Sequence, residues 1–267
     1  MFWINFHVFA IITIILWFAG ILMIGLAGKM IRHEWPGRIC ILLGIISLLF
    51  FTVILWINLE RPPMRTLGET RLWYTIFLSV VGLITYSRWK YKILLVFTIA
   101  MAVLFLLINL LHPENYDKTL MPALQSPWFI PHVIVYILSY AILAFSSMVA
   151  AYGLFKVYTK TFDTITIRLA DNLVYIGFAF LTMGLLFGAM WAKEAWGHYW
   201  TWDPKETWAF LTWLSYLIYI HFRIFQPGKI KTPLWALSLA FIVLLICWFG
   251  INYLPSAENS VHVYGGE

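Results

Sequence analysis

The side chains in this chain best suited to chemistry crowd into eighteen consecutive residues, Trp191 to Trp208. Five tryptophans, Tyr199, His198 and five charged residues share that stretch. An indole offers a broad apolar face and one edge donor, so clustered indoles can wall a flat ligand. They also favour the membrane–water boundary, where any single tryptophan reads as part of an aromatic belt. A belt alone does not account for the tight Trp-Gly-x-x-Trp-x-Trp-Asp order from Trp196 to Asp203. Outside the strip, three histidines stand out: His132 after Pro131, His221 inside an apolar stretch, and His262 in the C-terminal tail. Imidazole titrates near neutral pH and is a common metal ligand. By its residues alone, an interfacial histidine such as His132 or His262 also reads as a hydrogen-bonding belt residue. His221 equally reads as snorkelling beside Arg223.

The strip carries the signal for a helix start. Asp203 suits the N-cap, Pro204 the first helical position and Glu206 the third. Gly197 leaves room for backbone or ligand to come close. Apolar segments flank the strip, and a polar aromatic run between two spans belongs at the water interface rather than in hydrocarbon.

Those segments set the fold class. The chain has 267 residues, of which 62% are hydrophobic and 11% charged. A soluble domain is nearer half apolar and a quarter charged. A spanning helix needs about 20 apolar residues, and eight stretches qualify, near 5–27, 38–58, 72–88, 92–111, 132–155, 172–191, 204–225 and 233–254. The expectation is an all-α integral membrane protein, a bundle of about eight transmembrane helices, with no repeat or linker to divide a single polytopic domain over 1–267. The first span lacks a positively charged n-region and a cleavage site, and reads as a retained helix. Cys40 and Cys247 lie apart in apolar stretches, form no Cys-x-x-Cys pair and read as bystander thiols.

The net charge of +6 reflects topology rather than a nucleic-acid partner. Twelve of the eighteen basic residues fall in alternate loops, around Lys29–Arg38, Arg88–Lys92, Lys156–Arg168 and Arg223–Lys231. The other exposed segments hold six basic residues and nine of the twelve acids. The positive-inside rule then puts both termini and the tryptophan strip on the outer side. Arg61, Arg65 and Arg71 in one outer loop are the weak vote against it.

The run Trp196-Gly-His-Tyr-Trp-Thr-Trp-Asp-Pro-Lys-Glu-Thr-Trp208 resembles the tryptophan-rich WWD signature of haem-handling membrane proteins. Its Trp-Asp-Pro-Lys-Glu-Thr-Trp form is most similar to the CcsA/ResC family of System II cytochrome c biogenesis. The likeness is strong from about Pro122 to Gly266, and before that rests on span count and hydropathy. Leu124-Gln-Ser-Pro-Trp-Phe-Ile-Pro-His132 resembles the family's run before an external histidine. Ser260-Val-His-Val-Tyr-Gly265 resembles its close, with Val261 and Val263 departing on either side of His262.

The resemblance implies a component of a holocytochrome c synthase, or haem lyase, in a bacterial inner membrane or its equivalent. Haem b would be its substrate and ligand, apocytochrome c its client, and a CcsB/ResB-type membrane subunit its companion. His132 and His262 would be axial ligands to haem iron on the outer face, and His221 a separate ligand within the membrane. Trp196, Trp200, Trp202, Asp203 and Trp208 would line the haem site. Lys193, Lys205 and Arg65 are candidates to pair with propionates, since cations bind carboxylates. His198 is at most a propionate contact, and His7, His33 and His112 are bystanders. Three rival readings remain: a haem-delivery protein without synthase activity, a related assembly protein binding no haem, and a generic transporter. The last would show ionisable groups at mid-bilayer and broken helices, and the chain has little of either.

Overall fold

The computed structural model describes residues 3–28, 30, 33–116 and 122–254. His262 lies outside the described residues, as do Lys29, Arg32 and Lys118. Among those described, regular structure is helical: α1 (Phe6–Leu26), α2 (Trp35–Leu59), α3 (Leu67–Trp89), α4 (Lys92–Leu111), α5 (Phe129–Tyr158), α6 (Thr164–Trp196), α7 (Pro204–Phe225) and α8 (Lys231–Trp248). Seven of the eight are long and apolar enough to cross a bilayer. The exception is α7, which carries Lys205, Glu206, His221 and Arg223. The protein is an integral membrane helical bundle. Its chain forms two compact units, Met1–Thr119 and Leu120–Glu267.

In the first unit, α1 and α2 meet backbone to backbone. A Cβ on Gly20 would lie 2.8 Å from the Gly37 carbonyl oxygen, and one on Gly37 would clash with Gly20 in turn. Small residues permit this approach where lipid offers no hydrophobic drive between helices. The Trp17 indole, fully buried, donates to the Ile41 carbonyl at 3.1 Å. The start of α3 is a capping box in which Thr66 and Glu69 satisfy each other's backbone N–H groups. Glu69 is completely buried, and Arg61 binds both of its oxygens, at 2.8 and 3.0 Å. One of the three arginines in that acid-bearing loop is therefore neutralised inside it. Asn109 on α4 donates to the Gly68 carbonyl at 2.9 Å and ties the end of α4 to the start of α3.

In the second unit, α5 and α6 run antiparallel in close contact. Ser139 donates to the Gly177 carbonyl at 2.8 Å between them. The sequence predicts a span from 172, but α6 begins at Thr164, because Asp163 caps it by accepting from the Thr166 N–H at 2.7 Å. Burial acts to raise the Asp163 pKa, but the Lys156 ammonium and the bonds from Thr166 outweigh it and hold the carboxyl at about 2. At the other end, Gly197 takes φ 85° and its N–H closes the last turn on the Lys193 carbonyl at 3.0 Å. Helix α8 returns against α5, where Ser147 donates to the Leu237 carbonyl at 3.0 Å.

A charged latch joins α6 to α7 at the end away from the strip. Arg223 donates from Nε and Nη2 to the two oxygens of Asp171, at 2.8 and 2.9 Å, and the Tyr219 hydroxyl adds a third bond at 2.7 Å. Both charged side chains are largely buried. Such a pair persists where geometry and extra hydrogen bonds compensate desolvation.

Candidate haem-facing site

The strip is folded by two carboxylates. Asp203 caps α7 by accepting from the Lys205 N–H at 2.8 Å. Glu206, one turn later, turns back so that Oε2 accepts the N–H groups of Thr201 at 2.8 Å and Asp203 at 3.1 Å. Both acids are buried. Asp203, expected to line a ligand, thus also has a structural task at this helix start. The acids hold the preceding residues in a tight bend, and Trp202 within it takes φ 60°. Left-handed backbone costs a residue with a Cβ roughly 1–2 kcal/mol, and this one leaves the indole 64% exposed.

Around that bend the rings form two groups. Trp200 meets Trp202 edge to face at 5.8 Å, and Trp202 meets Phe210 in the same way at 5.9 Å. Separately, Trp196 packs edge to face on Trp191 at 4.9 Å. Trp191 is a structural member: its ring is buried, and its Nε1 donates to the Ala123 carbonyl at 2.7 Å. Ser126 reinforces that link by donating to Glu194 at 2.6 Å. The segment ahead of α5 is thereby fastened to the end of α6. Trp208 sits half-buried in the first turns of α7.

His132 joins the second ring group. Its imidazole stacks on Trp191 at 5.5 Å with the planes 28° apart, and lies 4.7 Å from the Tyr136 ring. Its Nδ1 is 2.9 Å from the Gly184 carbonyl oxygen. A carbonyl can only accept, so Nδ1 is the donor in this bond. Gly188, one turn on, makes room: a Cβ there would lie 2.9 Å from the imidazole ring. An imidazole held through one nitrogen by a backbone carbonyl is the arrangement usual in histidine metal ligands.

His221 repeats this bond by a local route. Its Nδ1 donates to the Leu217 carbonyl one turn back, at 2.9 Å. The ring is exposed on α7, in a shallow apolar groove of about 420 Å³ lined by Leu214, Leu217, Ile218, Phe222 and Phe225. Seventeen residues of helix separate it from Pro204, which is roughly 25 Å at 1.5 Å per residue. It therefore belongs to a different place from the strip. Of the cations considered for anionic groups, Lys193 donates to the Gly197 carbonyl at 2.8 Å and lies 5.4 Å over the Tyr199 ring. Arg65 is in the first unit, with its Nε buried and lacking an acceptor among the described residues. His198 is exposed, and His112 pairs with Glu114 at 2.7 Å.

The residues present suit a haem. They supply an imidazole fixed through Nδ1, and several indole faces. They also supply one unmet donor: Trp200 Nε1 is shut off from solvent with no partner among the described residues. Sequence reasoning missed Tyr136, Gly184, Gly188 and the supporting part of Trp191. The glycine pair four residues apart was visible in the sequence, but nothing there says which ring it accommodates.

A family model described as cytochrome C assembly protein matches residues 64–257. That match reaches well ahead of Pro122, where the likeness of motifs begins. Several relatives are named cytochrome c biogenesis protein CcsA. The one from Panax ginseng is 32% identical, over 89% of this chain and 87% of its own. The Chlamydomonas reinhardtii relative is 34% identical over 84% and 67%, and the Guillardia theta relative 33% over 83% of each.

Glu206 is the keystone of the strip. Glu206→Ala should lower stability by about 1–2 kcal/mol, the usual cost of losing a helix cap. It should also shift tryptophan emission to longer wavelength as the bend opens to water. Unchanged melting and emission in detergent would show that the bend is held by something else.

Proposed function

This chain belongs to the cytochrome c assembly protein family and acts in cytochrome c maturation, and within that role we propose that it is the haem-presenting component of a cytochrome c haem lyase. The observation that carries the proposal is His132, held through Nδ1 by the Gly184 carbonyl and stacked beside the ordered tryptophans. Haem b is the substrate. His132 gives one axial bond to its iron through Nε2, and His262 from the tail gives the other. Trp196, Trp200, Trp202 and Trp208 face the ring, and the Trp200 N–H meets a polar group of the ligand.

The protein's part is positioning. Fixing the haem beside a bound Cys-x-x-Cys-His segment turns encounters between separate molecules into reaction within one complex. Each thiol adds across one vinyl group: sulfur bonds to one vinyl carbon, hydrogen ends on the other, and no atom leaves. The iron and porphyrin bring the electronic chemistry. Exclusion of water by the apolar surroundings favours the reduced iron this addition uses.

Haem reaches the strip from a second station at His221. The groove around that ring is open to another chain, and a CcsB/ResB-type subunit supplies the facing ligand there. In this reading the strip and both termini face outward. Support comes from the basic residues concentrated at the α1–α2, α3–α4, α5–α6 and α7–α8 loops. An export-dependent reporter placed after Gly197 should be active and one placed after Lys90 inactive. The reverse pattern overturns the orientation.

His132→Ala should abolish maturation of c-type cytochromes while the protein remains inserted and stable. Added imidazole should restore part of the activity by filling the vacated position on iron. The residue lies at a helix start and is half-buried, so losing its one hydrogen bond and its ring contacts should cost about 1–2 kcal/mol. Wild-type levels of covalent haem on the client would contradict the assignment.

A further inference from the structure

The end of the second unit opposite the strip holds a charge excess that the haem reading does not use. Six basic residues gather there, from the end of α5 to the start of α8: Lys156, Lys160, Arg168, Arg223, Lys229 and Lys231. The two acids of that end are consumed, Asp163 by Lys156 and Asp171 by Arg223. Lys160, Arg168, Lys229 and Lys231 have no carboxylate partner among the described residues.

Between the α5–α6 turn and the start of α8 lies a shallow, open cleft of about 390 Å³. Lys229 and Lys231 line it beside the hydroxyl-bearing Thr232, and Val157, Phe162 and Ile230 supply apolar wall. Beside Lys231 stand two rings of the kind typical of membrane interfaces. Tyr158 and Trp235 are both exposed and joined by a hydrogen bond from the indole at 3.3 Å. The Lys231 ammonium lies 5.2 Å over the Tyr158 ring. Exposed tyrosine and tryptophan at the ends of spanning helices mark headgroup depth. Basic pockets at that depth recognise anionic lipid headgroups.

We propose that this cleft binds the phosphate of an anionic phospholipid, with Lys229 and Lys231 holding the phosphate and Val157, Phe162 and Ile230 receiving the first carbons of its chains. A cleft for free phosphate would have no use for the apolar wall or for aromatic rings at membrane depth. The site is independent of the haem proposal and stands or falls separately from it.

The test uses the full-length protein in nanodiscs of mixed phosphatidylcholine and phosphatidylglycerol, re-extracted in mild detergent, with bound lipids counted by native mass spectrometry. Wild type should retain phosphatidylglycerol several-fold over its share of the bilayer. Lys229→Gln with Lys231→Gln should lose that enrichment, and Arg88→Gln, in the last turn of α3, should keep it. Both lysines are exposed, so the double variant should fold, which its helical circular dichroism checks. Inorganic phosphate, added during extraction, should not displace the lipid. No enrichment in wild type, enrichment persisting in the double variant, or equal loss in Arg88→Gln would each overturn the proposal. Displacement by inorganic phosphate would overturn the lipid assignment in favour of a free anion.

Discussion

Everything at the strip end of the second unit depends on how closely α5 and α6 approach. In hydrocarbon, helices are not driven together by exclusion of water, so contact rests on shape and on interhelical hydrogen bonds. Gly184 and Gly188 remove the side chains that would hold α5 off. The Tyr136 and His132 rings drop into the space. Only at that distance can the Gly184 carbonyl, already part of its own helix, also accept from His132 Nδ1. One close contact thus fixes the position and plane of the imidazole. It also sets the ring against Trp191, which is itself anchored to the Ala123 carbonyl.

The strip adds a second constraint of a different kind. Its residues are too polar to lie in lipid and too apolar to be left as a loose loop in water. The buried carboxylates of Asp203 and Glu206 resolve this by satisfying the backbone N–H groups of the bend, the cost of burying each acid being offset by the bonds it accepts. A rigid bend can then afford a left-handed Trp202 and present its ring outward. At the far end of α7 the Asp171–Arg223 latch does a comparable job. The helix between the two is accordingly the one whose composition is least like a span. His221 lies near the latch, on a face that the described residues leave open.

Much of this was legible from the residues. Run lengths marked all eight helices, and seven of them have the length and composition that a bilayer imposes directly. Asp203, Pro204 and Glu206 announced the start of α7, since capping is local chemistry. The early start of α6 was missed: its first two turns carry Arg168 and Asp171, and a span search passes over them, whereas the cap at Asp163 sets the true beginning. The strip could be recognised by its order but not resolved into roles. That Trp191 supports and Trp202 projects depends on the tertiary partners of each ring, Ala123 for one and Phe210 for the other. The bond from His132 Nδ1 depends on a carbonyl 52 residues away and leaves no mark in local sequence. For His221 the acceptor is one turn back, as helix geometry allows, yet its exposure on α7 is a tertiary fact.

The central claim is that this chain holds haem iron between two histidines beside the tryptophan strip. The most direct measurement is the absorption spectrum of the purified full-length protein, oxidised and reduced, compared with that of His132→Ala. The account predicts a six-coordinate, low-spin spectrum of bis-histidine type in the wild type, with sharp α and β bands on reduction. It predicts that His132→Ala loses the part of that signal arising at the strip and that imidazole restores it. A spectrum identical in the two proteins, with haem bound in both, would contradict the claim.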